Sequence, residues 1–271
     1  MEWNLNLKTT ELNKPIYRII SFDRFYATVV KKKNKLNSPS SWDDPFENLI
    51  KNVRIIKNNR QNSRLATCDS AYAQCWSFSN ENDLLWRVYS KTGDGLRIRS
   101  TPLKLINSIL NSNQYKQILS DPEHVGVDPD NDQIFEEIGC YIGKVEYKSM
   151  TAIKKYIQNL ARDSSFSTQI KTLLIKREPF RDEKELRLIV WHFTGVLFDF
   201  DWPFIYDFDV NESFDEIVFD PRISEPKFNG FSNVLRTAGY ENNILKSDIY
   251  DTPELINIPP IENESSTVEI V

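Results

Sequence analysis

The spacing of hydrophobic and polar positions changes repeatedly along the chain, and each change marks an element. "PIYRIISF" (residues 15–22) is a short β-rich run with one charge, Arg18, inside it. "FDRFYATVVKKKNKLNSP" alternates loosely and reads as a strand or as a helix passing into one. "NSPSSWDDPFENLI" carries Pro39, Pro45 and an Asp pair, and reads as a structured loop entering a short helix. Residues 50–70 are basic and polar, which predicts a helix followed by a loop. "YAQCWSFS" (72–79) is an apolar strand, after which Leu84, Leu85, Val88 and Tyr89 recur at helical spacing. "TGDG" is a turn before the alternating strand "LRIRS".

"PLKLINSILNSNQYKQIL" has the pattern of one amphipathic helix with Pro in its first turn. The acidic "SDPEHVGVDPDND" reads as the flexible segment, "IGCYIGKVEYKS" as a strand, and "TAIKKYIQNLARDSSFSTQIKTLLIK" as helix in one or two pieces. Beyond residue 150, "EKELRLIVWHF" is the most strand-like run. Two more strands are expected in "PFIYDFDVNESFDEIVFDPRIS", a helix in "KFNGFSNVLRTAGY" and a final strand in "NILKSDIY". Strands and helices mix without regular βα alternation, which predicts the α+β class. We expect one domain over residues 1–252 and a loosely held, acidic, Pro-containing tail over 253–271.

A chain of 271 residues buries enough surface to fold without a disulfide or metal staple. Its net charge of −5 argues against a broad basic face for nucleic acid. Positive charge is nevertheless concentrated at Lys51, Arg54, Lys57, Arg60 and Arg64. This stretch is either a local phosphate-tracking groove or a solvated basic helix face. The three cysteines form no C-x-x-C pair, and the two histidines lie far apart, which disfavours a zinc site and a Cys-His or Ser-His nucleophile. The first residues carry no signal-peptide pattern and no apolar run approaches 18 residues, so a cytoplasmic protein with free thiols and no membrane contact is expected.

Three apolar runs carry polar groups: Arg18 in "IYRII", Ser77 and Ser79 in "CWSFS", and Glu183 and Glu185 in "RDEKELRLIV". A strand period of two sends Ser77 and Ser79 to one face, and likewise Glu183, Glu185 and Arg187. Such rows inside a sheet are costly unless they pair or hold a ligand. Each also has a plain structural explanation. Arg18 suits a surface ion pair, Ser-x-Ser before "NEND" suits turn and helix-capping chemistry, and Glu-Lys-Glu-Leu-Arg suits a solvated strand face.

The order Arg, Ser-x-Ser, Glu-x-Glu resembles the Arg–Ser–Glu class of ADP-ribosyltransferases. That resemblance implies a split β-sandwich of two small sheets flanked by helices, with NAD as co-substrate and no metal. It implies that Arg18 holds the NAD phosphates, that Ser77 with Ser79 braces the nicotinamide-ribose pocket, and that Glu185 is the catalytic glutamate with Glu183 two residues before it. On that reading Glu183 positions or activates the incoming nucleophile. Tyr17, Trp76 and Trp86 offer stacking surface for nicotinamide or a target base, or simply belong to the core.

The blocks "IYRIISF", "NSPSSWDDPFE", "AQCWSFS…LLWRVYS", "GDGLRI", "KREPFRDEKELRLIV" and "IVFDPRIS" resemble a bacterial family, domain of unknown function 2971, of mobile and defence-associated loci. They are also similar to the mRNA-modifying transferases of toxin–antitoxin–chaperone phage-defence systems. That similarity implies a toxin with an RNA target and with antitoxin and chaperone partners. For an RNA acceptor, the basic stretch around Lys51, Arg54 and Lys57 is expected to steer the phosphate backbone towards the cleft. Two other readings compete. One is a magnesium-dependent nuclease using Asp43, Asp44 and Glu47 with Glu183 and Glu185. The other is a non-enzymatic module that binds a partner protein through its acidic loop and tail.

Overall fold

The computed structural model describes residues 3–42, 54–57, 60–64, 71–120, 125–127, 134–136, 138–160, 166–192 and 203–251. β1 (Ile16–Ser21) runs into α1 (Phe22–Lys31) and β2 (Lys33–Leu36). A hairpin of β3 (Arg54–Lys57) and β4 (Arg60–Arg64) precedes β5 (Ala71–Ser77) and α2 (Asp83–Tyr89). β6 (Gly95–Ser100), α3 (Pro102–Leu110) and α4 (Asn113–Ser120) follow. β7 (Val125–Val127) pairs with β8 (Ile134–Glu136), ahead of β9 (Ile138–Lys144) and β10 (Glu146–Lys148). Next come α5 (Met150–Leu160), α6 (Phe166–Thr172), β11 (Ile175–Arg177), β12 (Glu185–His192) and β13 (Phe204–Asp207). α7 (Val210–Ser213), β14 (Glu216–Phe219), α8 (Glu225–Thr237) and β15 (Asn243–Lys246) complete the order.

Local chemistry sets the helix ends. α1 starts where the Ser21 hydroxyl accepts from the Arg24 amide, and it buries Phe25 and Val29, one turn apart. α3 starts on the Thr101 hydroxyl with Pro102 in its first turn. The pattern predicted one helix from there to Leu119, yet the chain breaks at Asn111-Ser112. Ser112 donates to the Ile109 carbonyl and accepts from the Tyr115 amide, which ends one helix and starts the next. Residues 54–57 and 60–64 are also a correction: they pair as two antiparallel strands where a helix was expected. Ile55 and Ile56 are β-branched and Asn58-Asn59 is a turn-type dipeptide, which favours strands over a helix.

The main sheet runs β15-β14-β6-β1-β5-β12-β9, seven strands among the described residues. β1 pairs with β6 over six positions, and β5 pairs with β12 over seven. Between β1 and β5 a single pair, Tyr17 and Ser77, is in register. The sheet is therefore continuous but narrowed to one residue pair between β1 and β5, where the resemblance implied two small sheets. Both faces are covered, so β12 reads as a nearly continuous apolar run. Leu186, Leu188 and Val190 enter the larger core, while Ile189 and Trp191 enter a smaller one with Ile170, Leu173 and Leu174. The α+β class holds, and no described helix is long and apolar enough to cross a membrane. Residues 253–271 lie outside the described residues.

Candidate active site

The Tyr17–Ser77 pair lies in a row across the sheet, with Arg99 facing Tyr17 and Glu185 facing Ser77. Facing residues of antiparallel strands share a side of the sheet, so Tyr17, Ser77 and Glu185 lie side by side. Arg18, one residue along, leaves β1 on the opposite side. Beyond the pair the two strands part, and through that gap Arg18 lines the same cleft as Ser77 and Glu185. Two neighbouring cavities adjoin it, and Arg18 and Arg24 line all three.

Glu185 is almost fully buried and both its oxygens are engaged. Arg187 donates from Nε to Oε1 at 2.7 Å and from Nη2 to Oε2 at 3.1 Å, and Lys176 Nζ lies 3.1 Å from Oε2. Burial alone raises the Glu185 pKa. The charge and hydrogen bonds of Arg187, then Lys176, then a hydrogen bond with Cys75, outweigh it and hold the pKa at about 2. Arg187 is itself anchored by the Leu173 carbonyl at 2.7 Å and by the Trp42 ring, whose centroid lies 4.1 Å from its guanidinium carbon. The carboxylate is thus fixed in place and ionised at physiological pH.

Glu183 is not on the strand as the period of two predicts. It ends a 3-10 helix, Glu178–Glu183, and Lys184 takes the left-handed conformation (φ 45°) before β12 begins at Glu185. That conformation costs a non-glycine residue about 1–2 kcal/mol, and the turn is held by the bond from the Phe78 amide to the Lys184 carbonyl at 3.0 Å. Lys176 reunites the two glutamates, its Nζ lying 2.6 Å from Glu183 Oε2. Ser77 donates to the Glu183 carbonyl at 2.6 Å and accepts from the Ser79 amide at 2.9 Å. Ser79 lies past the end of β5, so the row of two hydroxyls expected on one strand face does not form. The Ser77 hydroxyl ties the glutamate turn to β5, and Ser79 lines the cleft from the following loop. The capping chemistry weighed for this stretch falls to Asn82, which accepts from the Leu84 amide at 2.8 Å.

Burial brings the Arg18 pKa down to about 10, so the guanidinium stays charged at neutral pH. Among the described residues its side chain meets no hydrogen-bond acceptor or ion-pair partner. Tyr17 lines the cleft with the Arg97 guanidinium stacked 4.9 Å from its ring centroid. Arg97 in turn holds the Asn80 side-chain oxygen at 2.6 Å and Glu216 at 3.2 Å. Trp76 lines the cleft too, but Trp86 does not. Trp86 is fully buried with its indole N–H on Glu81 at 3.0 Å, and it offers a ligand no ring face. Leu85 and Tyr89 are what α2 turns toward the cleft instead.

Of the proposed acceptor contacts, Lys51 lies outside the described residues, and Arg54 and Lys57 are placed on β3. Asp43, Asp44 and Glu47, required for a magnesium cluster, also lie outside them. Among the described residues no group of three or more His, Cys, Asp or Glu is placed to hold a metal ion. Sequence reasoning missed Arg24, Lys176, Tyr89 and Cys75 as parts of the site. Lys176 had a signal, since a lysine ending the apolar run "TLLIK" needs a partner. Arg24, on an ordinary amphipathic helix, had none.

Fold and site together define an α+β domain whose sheet opens over a buried ionised carboxylate and a guanidinium that is unpaired among the described residues. No protein-family model and no curated protein matches the chain, so the resemblance to family 2971 rests on the sequence blocks alone. Among solved structures, Thermus sp. 2.9 DarT in complex with ADP-ribosylated ssDNA aligns over 87% of this chain and 94% of its own. The TM-score is 0.35 and the identity 11%. The same protein in complex with NAD+ aligns over 87% and 96%, with a TM-score of 0.34 and 11% identity. A similarity of that size leaves the activity to be read from the cleft itself.

Proposed function

We propose that this chain is an NAD-dependent ADP-ribosyltransferase that moves ADP-ribose from NAD to a nucleic-acid acceptor, RNA in preference, and releases nicotinamide. The observation that carries this reading is the juxtaposition of Arg18, unpaired among the described residues, and ionised Glu185 in one cleft. The residues present suit a dinucleotide. A half-buried guanidinium without a partner among the described residues matches a diphosphate. A fixed carboxylate with an aromatic neighbour, Tyr89, matches a ribose carrying a flat cationic base.

When the ribose–nicotinamide bond breaks, nicotinamide leaves with the electron pair as a neutral base and positive charge grows on the ribose. Glu185 stabilises that charge as it forms, which lowers the barrier more than it strengthens ground-state binding. Because Lys176 is shared by both glutamates, a ribose hydroxyl can take its place on Glu185 while Glu183 retains it. The acceptor's nucleophilic atom bonds to the ribose and gives up its proton to Glu183, the more exposed of the two carboxylates.

The RNA preference rests on the sequence resemblance and on the basic residues Lys51, Arg54 and Lys57, of which Arg54 and Lys57 lie on β3. A toxin role in antiphage defence, with an antitoxin and a chaperone as partners in the cytoplasm, belongs to the same proposal and rests on the resemblance alone. The test is incubation with NAD labelled in the adenosine half, in separate pools of RNA, DNA and protein. Label on RNA with nicotinamide released is expected. Label confined to protein rejects the nucleic-acid acceptor, and no nicotinamide release in any pool rejects the transferase.

A further inference from the structure

Arg24 shares the environment of Arg18. It projects from the first turn of α1, is exposed, and lines the same three cavities. Among the described residues its guanidinium, like that of Arg18, meets no acceptor. The contrast with other arginines is sharp: Arg87, Arg97, Arg99, Arg187 and Arg222 each face a carboxylate. The nearby carboxylates of Glu183 and Glu185 are held by Lys176 and Arg187. Arg18 and Arg24 are close enough to repel, since the charge of Arg24 is, after burial, what most depresses Arg18. Two like charges lining one cleft, without a counter-ion among the described residues, are unfavourable until an anion joins them.

We propose that Arg18 and Arg24 form a two-armed cradle for the diphosphate of a nucleoside diphosphate ester, with Arg24 as the solvent-side arm. The cradle stands where the three cavities meet, so the two ends of a dinucleotide leave it into different cavities. The transferase reading enters only in identifying that ester as NAD. The geometry of the cradle stands without it.

The test is calorimetric titration of the full chain with ADP and with adenosine at low and high salt, beside nicotinamide release from NAD. ADP should bind more tightly than adenosine and weaken as salt rises. Arg24→Gln should lower ADP affinity about tenfold, the weight of one charge-assisted hydrogen bond, and leave adenosine unchanged. Its effect on NAD should fall on KM more than on kcat. Arg24→Lys should restore only part of the loss, because an ammonium has no fork. Equal ADP affinity in the wild type and Arg24→Gln overturns the cradle, as does ADP binding no tighter than adenosine. Arg24-dependent ADP binding without nicotinamide release keeps the cradle and rejects the transferase. Nicotinamide release with Arg24→Gln indistinguishable from wild type does the reverse.

Discussion

Arg18 on β1 and Arg187 on β12 stand in the same sheet with only β5 between them, and they meet opposite conditions. Arg187 has no exposed surface, and its donors reach Glu185 and the Leu173 carbonyl while its flat face lies on Trp42. Arg18 is half-buried and lines the cleft, its surroundings lower its pKa to about 10, and no acceptor meets it among the described residues. A buried cation with complete pairing supports the fold. One held without pairing costs stability, and the compensation has to come from outside the chain. The same sheet therefore carries a structural arginine and a ligand-seeking one, separated by the point where β1 and β5 part.

Stability should break that comparison open most clearly. Arg187→Met leaves Glu185 with half its cationic support, and a loss of about 3–5 kcal/mol in urea unfolding is expected. Arg18→Met should instead raise stability, by about 1 kcal/mol or less, because it removes a partly desolvated charge that nothing within the described residues repays. A destabilised Arg18→Met protein would make the two arginines alike and remove the case for a ligand at Arg18.

Glu185→Gln keeps the volume and removes the charge between two buried cations. Nicotinamide release should fall by about 10²–10³-fold, as when other groups that stabilise charge in a transition state are removed. Stability should fall as well, since Arg187 and Lys176 are deprived of their shared anion. Unchanged turnover in a folded Glu185→Gln protein would move the chemistry elsewhere.

The same carboxylate sets an acid limit. Its pKa lies at about 2 in the fold against an ordinary 4.5, so its contribution is complete above pH 4.5 and disappears as pH falls toward 2. The step is worth about 3 kcal/mol. Urea midpoints measured between pH 5 and pH 2 should show this step in the wild type, and Glu185→Gln should lack it.

Smaller effects are expected further from the carboxylate. Arg18→Gln should reduce kcat/KM for NAD by about 10–100-fold, the range of charge-assisted hydrogen bonds, without loss of fold. Least of all, replacing Lys51, Arg54 and Lys57 with Gln should reduce the log–log salt slope of RNA modification by about 0.7 for each phosphate no longer neutralised. An unaltered slope, measured with single-stranded RNA, would take this hairpin out of the acceptor path.

Much of the fold was legible because its signals are local. The apolar run of β12, the turn at "TGDG" and the Pro-started α3 each follow from neighbours within a few residues. Where the pattern misled, a local hydrogen bond or turn overrode it. Ser112 breaks a helix of sound periodicity, and the left-handed Lys184 takes Glu183 off the strand that carries Glu185. Arg18, Ser77, Ser79, Glu183 and Glu185 could be singled out because polar groups in apolar runs are conspicuous in any sequence. Trp86 could not be separated from Trp76 that way, since both are buried and only the packing of α2 and β5 decides which of them borders the cleft.

By itself, then, the sequence determined the α+β class, the main strands and the short list of polar residues that demand an explanation. Those follow from hydrophobic periodicity and from the cost of burying charge, both of which act residue by residue. Only the tertiary structure decided that β1 and β5 meet at one pair and then separate, that Lys176 joins two glutamates, and that Arg24 shares a cleft with Arg18. Those depend on register between strands far apart in the chain, and a period of two cannot tell a paired edge from an open one.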